Sequence, residues 1–382
     1  MDNQFSTSKK YIDQVLRDKF RTSRNKNFNT RVIKLFCQKI GVKYGITVNS
    51  GTSGLHSALL SLNLNKNDEV LMPAITMSAV AYSIILSGAK PVFVDIDKDT
   101  LNIDIKDLQK KISNKTKALI CVALFGLMPN YGLIKKIIKK SKKKIFIIED
   151  NAECMIGKYG KKFAGNHGDF AMFSFQASKT ISSGEGGIIV TNNKKLWNNA
   201  KLASNLGYKS RNLNYINLRK KLSGTNFSRH VSLGFNYRLS ELNAALIYGQ
   251  LKQLKNILLK RKTNAEKFLK VIKKYQDIIF TQKIDKNISH AFWTVPIVFK
   301  NYENLKKFEK LWFRHRGDFY YGCWKIPYQE DFFKKLGISY NKCHTAESIQ
   351  RRTIQLNTNY DKKSELKKQL NILNKVLKKL KT

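Results

Sequence analysis

Tyr44-Gly45-Ile46-Thr47-Val48 runs through Asn49-Ser50-Gly51-Thr52-Ser53-Gly54-Leu55 into an apolar stretch that reaches Leu62. The first five residues predict a strand, the small hydroxyl residues and glycines a turn, and the apolar spacing that follows a helix over 53–62. A strand feeding a helix through a tight turn is half of a βαβ unit, and the chain goes on to repeat it. Strands are predicted at 69–72, 91–94, 118–123 and 145–148, with helices at 78–86, 105–112 and 131–140 between them. Two more strands follow at 169–175 and 187–191. This alternation predicts an α/β fold built on a parallel sheet. From Leu239 the pattern changes to one long helix running past Leu254 to Leu258, which would bridge two domains. Beyond it lie a strand near 292–299, a helix near 304–313 and a closing amphipathic helix carrying Leu366, Leu370, Leu373, Leu377 and Leu380.

The 382 residues are 42% hydrophobic and 11% aromatic, enough for a large core and unlike a disordered chain. No run of 18 apolar residues occurs, so no membrane insertion is expected. Met1 to Phe20 lacks a continuous apolar segment, so a cleaved secretory signal is not expected either. The five cysteines are odd in number and scattered, with no CxxC pair. They support neither a disulfide framework nor a metal site, and a reducing cytoplasm is the expected setting.

Lys and Arg number 71 against 27 Asp and Glu, a formal net charge of +44. Such an excess would attract polyanions. The lysines are nonetheless spread over most of the chain, and the densest run, Lys135 to Lys144, reads as a solvated helix face and the turn after it. Aromatic residues are not interleaved with the basic runs as a single-strand-binding surface requires. No specific nucleic-acid partner is expected.

Three stretches carry chemistry. In Val48 to Leu55 the turn before the helix would present backbone N–H groups at a helix N-terminus, an anion site; a structural turn and cap fits it equally well. Glu149-Asp150 ends a buried strand, where open α/β sheets bind ligands, and either acid can serve a cationic partner or a structural pair. Lys179 follows an apolar strand and precedes the glycine cluster Gly184-Glu185-Gly186-Gly187. A desolvated lysine there can act as an amine nucleophile, although most lysines of so basic a chain are surface groups. Anion site, acid and lysine in this order are the parts needed to hold pyridoxal 5'-phosphate.

Together with Asn67 to Pro73, Gly88 to Asp97, Phe173 to Gly187 and Gly234-Phe235-Asn236-Tyr237-Arg238-Leu239-Ser240-Glu241-Leu242, these stretches resemble the DegT/DnrJ/EryC1/StrS sugar aminotransferases. The resemblance covers most of the chain. It implies fold type I of the pyridoxal phosphate enzymes, with a mostly parallel seven-stranded sheet in a large domain (1–255, including an N-terminal arm) and a smaller C-terminal α+β domain (256–382). It implies that Lys179 binds the cofactor covalently and later moves protons, that Asp150 pairs with the ring nitrogen, and that Thr52, Ser53 and Ser174 hold the phosphate. Glu153 stands at a position beside the ring that is often Gln. Asn236 matches a residue reaching the cofactor of a neighbouring subunit, so a homodimer with shared active sites is implied. Tyr237 and Arg238 would approach a substrate diphosphate. Where the family has an aromatic residue stacked on the ring, this chain has Met77, whose thioether can still pack on a π face. Residues 317–328 would line the acceptor side, with most of their aromatic residues packing the small domain. His344 falls in a segment that is structural more often than catalytic.

The implied activity is transfer of an amino group from an amino acid, glutamate by analogy, to a nucleotide-linked ketosugar for a surface polysaccharide or glycan. The alternatives are a cyclitol aminotransferase, a sugar dehydratase, or a non-catalytic basic nucleic-acid-binding relative. Dehydratases of the group carry histidine in place of the lysine, and Lys179 is present.

Overall fold

Successive side chains of a strand point to opposite faces of its sheet, and in the run Phe146–Asp150 this sends Ile147 and Ile148 into two different hydrophobic cores. The same separation divides Leu71 from Met72, Leu119 from Ile120 and Ile188 from Ile189. Near-continuous apolar runs of this kind form strands covered on both faces. The computed structural model describes residues 5–20, 27–208 and 228–381.

The strands are β1 (Tyr44–Val48), β2 (Glu69–Pro73), β3 (Lys90–Val94), β4 (Thr116–Val122), β5 (Phe146–Asp150), the short pair β6 (Lys158–Tyr159) and β7 (Lys162–Phe163), β8 (Phe170–Ser174) and β9 (Gly187–Thr191). Seven of them form one sheet in the order β1-β9-β8-β5-β4-β2-β3. The pairs from β8 to β3 are parallel, and β9 runs antiparallel to both its neighbours. The sheet is therefore mostly parallel, as the sequence implied.

A second, antiparallel sheet is ordered β10-β12-β14-β13, from β10 (Ile279–Phe280), β12 (Thr294–Phe299), β13 (Tyr321–Gly322) and β14 (Thr353–Asn357), while β11 (Ile288–Ser289) joins β6. Val295, Ile297 and Phe299 of β12 share a third core with Phe308 and Trp312 of the helix Tyr302–Arg314 and with Leu366, Leu373 and Leu377 of the closing helix Lys363–Lys381. The lysines of the 135–144 run lie outward of the buried Ile134 and Ile137. Among the described residues, no helix is long and apolar enough to cross a membrane.

Most expected boundaries shift by one or two residues, and three departures have a clear local reason. The first βα helix spans Gly51–Leu60, because the Ser50 side chain accepts from Ser53 N and caps it two residues early. The single helix expected from Leu239 to Leu258 is two, Glu241–Lys252 and Leu254–Ile272. Gln253 leaves helical geometry (φ −101°, ψ 8°), which turns the chain from the large sheet's core toward the third core. The strand expected from Phe292 begins at Thr294, because Phe292 is left-handed (φ 51°) and Ala291 N donates instead to Gly126 O. The His344 segment has a structural duty: Thr345 N and Ala346 N donate to the Asp95 carboxylate, tying the helix His344–Gln350 to the end of β3.

Candidate active site

The carboxyl ends of β4, β5 and β8 open with the start of the helix Gly51–Leu60 onto a cavity of about 460 Å³. This is where parallel α/β sheets take ligands, since the strands stop there and helix N-termini converge.

One side of the cavity is built for an anion. Ser50, Gly51, Thr52 and Ser174 line it. The first amides of the helix have no partner inside it and point outward with the positive end of its dipole. Gly187 of β9 lets this loop pack closely: a Cβ there would lie 2.7 Å from Ser50 O and 3.0 Å from Gly51 N. Ser53, expected among the phosphate-holding hydroxyls, is turned away from the cavity lining. Its hydroxyl donates to Asn49 Oδ1 at 2.6 Å and lies 2.7 Å from Ser50 Oγ, so it holds the loop's shape.

The two acids of β5 divide. Asp150 follows Ile148 on the cavity side, and its Oδ1 accepts from Ala152 N at 3.0 Å. Burial pushes its carboxyl up to about 6, against the opposing pull of that N–H and of Lys179. Glu149 lies on the other face, accepting from the amides of Gly165, His167 and Gly168 and from Asn151 Nδ2.

Lys179 Nζ lies 3.3 Å from Glu153 Oε1 and 4.0 Å from the ring centroid of Trp293. Glu153 also accepts from Phe125 N at 2.8 Å through Oε2. Burial raises the Glu153 carboxyl to about 7, with Lys179 and the Phe125 amide pulling it back and Asp150 adding to the rise. Lys179, Asp150, Glu153, Thr52, Ser174 and Met77 thus share one cavity, Met77 at its exposed edge. Asn236 does not join them in its own chain: it is exposed, and its Oδ1 accepts from Arg238 Nε. Tyr237, expected near a diphosphate, faces its own chain, with its hydroxyl 3.0 Å from His56 Nδ1.

Sequence reading missed Trp293 and Phe125 altogether. Trp293 stacks on Trp324 (6.2 Å between centroids, 5° between planes), which stacks on Phe125 (5.7 Å, 15°). Of residues 317–328, Tyr321 and Trp324 line the cavity, whereas Ile326 and Tyr328 are buried in packing. The signal for Trp293 was a tryptophan directly before an apolar strand, which any core residue would share.

Hydroxyls and free amides at one side, a buried carboxylate at a strand end and an amine suit a cofactor with a phosphate, a basic ring nitrogen and an aldehyde. The donor set therefore fits pyridoxal phosphate.

The model of the DegT/DnrJ/EryC1/StrS aminotransferase family matches residues 4–375. The chain is 32% identical over 302 residues to GDP-perosamine synthase from Escherichia coli O157:H7, covering 78% of this chain and 77% of that one. Its fold is that of an aminotransferase from Psychrobacter cryohalolentis (TM-score 0.88, 23% identity, 99% and 98% of the two chains covered). It is also that of the E. coli GDP-4-keto-6-deoxy-D-mannose-3-dehydratase with bound hydrated pyridoxal phosphate (TM-score 0.83, 24% identity, 97% and 96% covered). With a family match that runs nearly from end to end, the chain belongs to the DegT/DnrJ/EryC1/StrS aminotransferases, enzymes that act on sugars with pyridoxal phosphate.

Proposed function

We propose that the protein moves an amino group from an amino acid, glutamate first among donors, to a nucleotide-linked ketosugar, and that the aminosugar serves a surface polysaccharide or glycan. The observation that carries this reading is the meeting of Lys179, Asp150 and the Gly51 helix start at one cavity. Similarity to a GDP-perosamine synthase supports the sugar-nucleotide acceptor.

Thr52, Ser174 and the amides at the helix start would hold the phosphate, Asp150 the ring nitrogen, and Met77 would cover the ring. When bound, pyridoxal phosphate supplies an aldehyde for the amine and a ring that draws electrons from the donor's α-carbon. Asp150, opposite a cationic ring nitrogen, stays ionised despite its burial and so favours the charged ring. Lys179 Nζ takes the proton from the donor α-carbon in the first half-reaction and gives one to the sugar carbon in the second. Glu153 holds that amine between transfers, and Trp293 and Trp324 keep water from one wall.

Two features support a homodimer with shared sites. Asn236 is exposed and does not line its own cavity, and its side chain is held by Arg238 at the surface, where a second copy could meet it. Beside it Val231, Leu233 and Phe235 are exposed, Leu233 at 98%, an apolar strip that a second copy would cover. We place the boundary between large and small domains near residue 255, where the helix pair turns. All five cysteines are free, in keeping with a cytoplasmic setting.

The test is a screen of ketosugar nucleotides with glutamate or glutamine, read by product mass, with Lys179→Ala as control. An amine product from wild type and none from the variant is the expected result. Turnover by Lys179→Ala, or a wild-type protein that takes up no cofactor, would reject the reading.

A further inference from the structure

Lys179 is held by more than its acid. The indole of Trp293 brackets it: Nε1–H donates to the carbonyl of Ser178, the preceding residue, at 2.8 Å, while the ring face lies 4.0 Å from Nζ. One rigid plane thus fixes both the backbone that carries the lysine and the end of its side chain. An ammonium over an indole face is attracted by the ring quadrupole, more strongly where water is excluded. Trp293 is only 5% exposed.

The tryptophan is itself clamped from the second sheet. Its carbonyl accepts from Arg261 Nη1 at 3.1 Å and from Thr358 Oγ1 at 2.9 Å. Arg261 is fully buried, and among the described residues it forms no ion pair; its fixed contacts are this carbonyl and the Thr358 hydroxyl. Burying a guanidinium is costly; the charge of Asp361 offsets part of that cost, and the hydrogen bonds fix its place behind Trp293. The left-handed Phe292 turns the chain just before the tryptophan, and its N–H is held by His290 Nδ1 at 2.8 Å. On the far side, Trp324 and Phe125 extend the stack back to Glu153, through the Phe125 amide. The circuit Lys179–Trp293–Trp324–Phe125–Glu153–Lys179 closes on itself.

We propose that Trp293 is a positioning residue for Lys179, its ring face holding the cationic nitrogen and its N–H fixing the Ser178 carbonyl, so that the amine returns to one place each time it is freed. The assignment rests on the aminotransferase reading for its effect on turnover, and on the geometry alone for its effect on the lysine. The charged groups facing Nζ are Glu153 and Asp150, with Glu185 also on the cavity wall. They are unchanged by substitution at 293.

The experiment compares Trp293→Phe, which keeps a ring face and loses the N–H, with Trp293→Leu, which loses both. In cofactor-free protein, trace acetylation of Lys179 is followed against pH by peptide mass. In reconstituted protein, the visible band is titrated and kcat and KM for glutamate are measured. Losing the face destabilises the cation, so Trp293→Leu should lower the acetylation midpoint and the band's titration by about half a unit to one unit, given the usual strength of such contacts. Its kcat should fall about tenfold with KM within about twofold, as for a group acting mainly on the transition state. Trp293→Phe should keep most of the titration and lose less kcat. If Trp293→Leu fails to fold, Thr358→Val, which removes one clamp on the carbonyl, must lower kcat without a change in KM. Unchanged lysine titration in Trp293→Leu, or equal titration shifts in the two variants, overturns the proposal. A wild-type protein with no visible band rejects the aminotransferase reading instead, and the acetylation arm still decides the placement of the lysine.

Discussion

Glu149 and Asp150 are consecutive on β5, yet their carboxylates serve opposite faces of the sheet. Glu149 is closed in by three backbone amides and an asparagine, and Asp150 opens on the cavity with Lys179. The pleat separates them, and each acid acquires the chemistry of its own side.

Asp150→Asn keeps the shape and removes the charge that, on the proposed function, faces the ring nitrogen. Amino transfer should fall by about two to three orders of magnitude, the scale of losing one electrostatic contact made in the transition state. The measurement is the initial rate on a reactive ketosugar nucleotide, with bound cofactor quantified by absorbance. A rate within tenfold of wild type would remove Asp150 from the mechanism.

Glu149→Ala should act on folding instead. It leaves the amides of Gly165, His167 and Gly168 without their acceptor. Unsatisfied buried donors cost about 1–3 kcal/mol each, so denaturant unfolding should show a loss of about 3 kcal/mol or more. An unchanged unfolding midpoint would contradict the placement.

Burial holds Asp150 up to about 6 and Glu153 up to about 7. Carboxyls in the unfolded chain release protons near pH 4, at about 3.9 for Asp and 4.3 for Glu. Between about pH 4 and 7 the folded cofactor-free protein therefore binds more protons than the unfolded chain, and its stability falls as pH rises through that window. Asp150→Asn should relieve this. Its gain in thermal midpoint over wild type should be larger at pH 8 than at pH 4.5, with an upper scale of about 3 kcal/mol for a shift of two units. A gain independent of pH would refute the burial argument.

Glu153→Gln preserves an acceptor for Phe125 N and removes the carboxylate beside Lys179. If the Glu153 carboxyl near pH 7 governs the amine, the acid limb of the kcat profile between pH 5.5 and 9 should flatten in the variant. Superimposable profiles would assign that limb elsewhere.

Gly187→Ala would place a methyl 2.7 Å from Ser50 O. The Ser50–Thr52 loop must shift, so, with the phosphate held there as proposed, the Kd for pyridoxal phosphate should rise by about tenfold or more, the size of a lost charge-assisted contact. Equilibrium titration of the cofactor-free protein checks this, and wild-type affinity would show that the loop absorbs the methyl.

The alternation of short apolar runs with amphipathic segments was enough to read the sheet and its helices, because the period of burial is written in the chain itself. The Ser50 turn, the acid pair of β5 and Lys179 were also legible as candidates, since each lies at or just beyond the carboxyl end of a strand, and parallel strands end at one edge. Sequence could not tell which acid faces the cavity, that Ser53 turns inward, or that Gln253 breaks the helix. Those outcomes depend on strand register, on hydrogen bonds within the loop and on which core each helix meets. Trp293 was beyond reach for a plainer reason. It lies 114 positions from Lys179 in the chain, and only the packing of the second sheet's segment against the first, tied by Ala291 N to Gly126 O and by Trp293 Nε1 to Ser178 O, brings the ring to the amine.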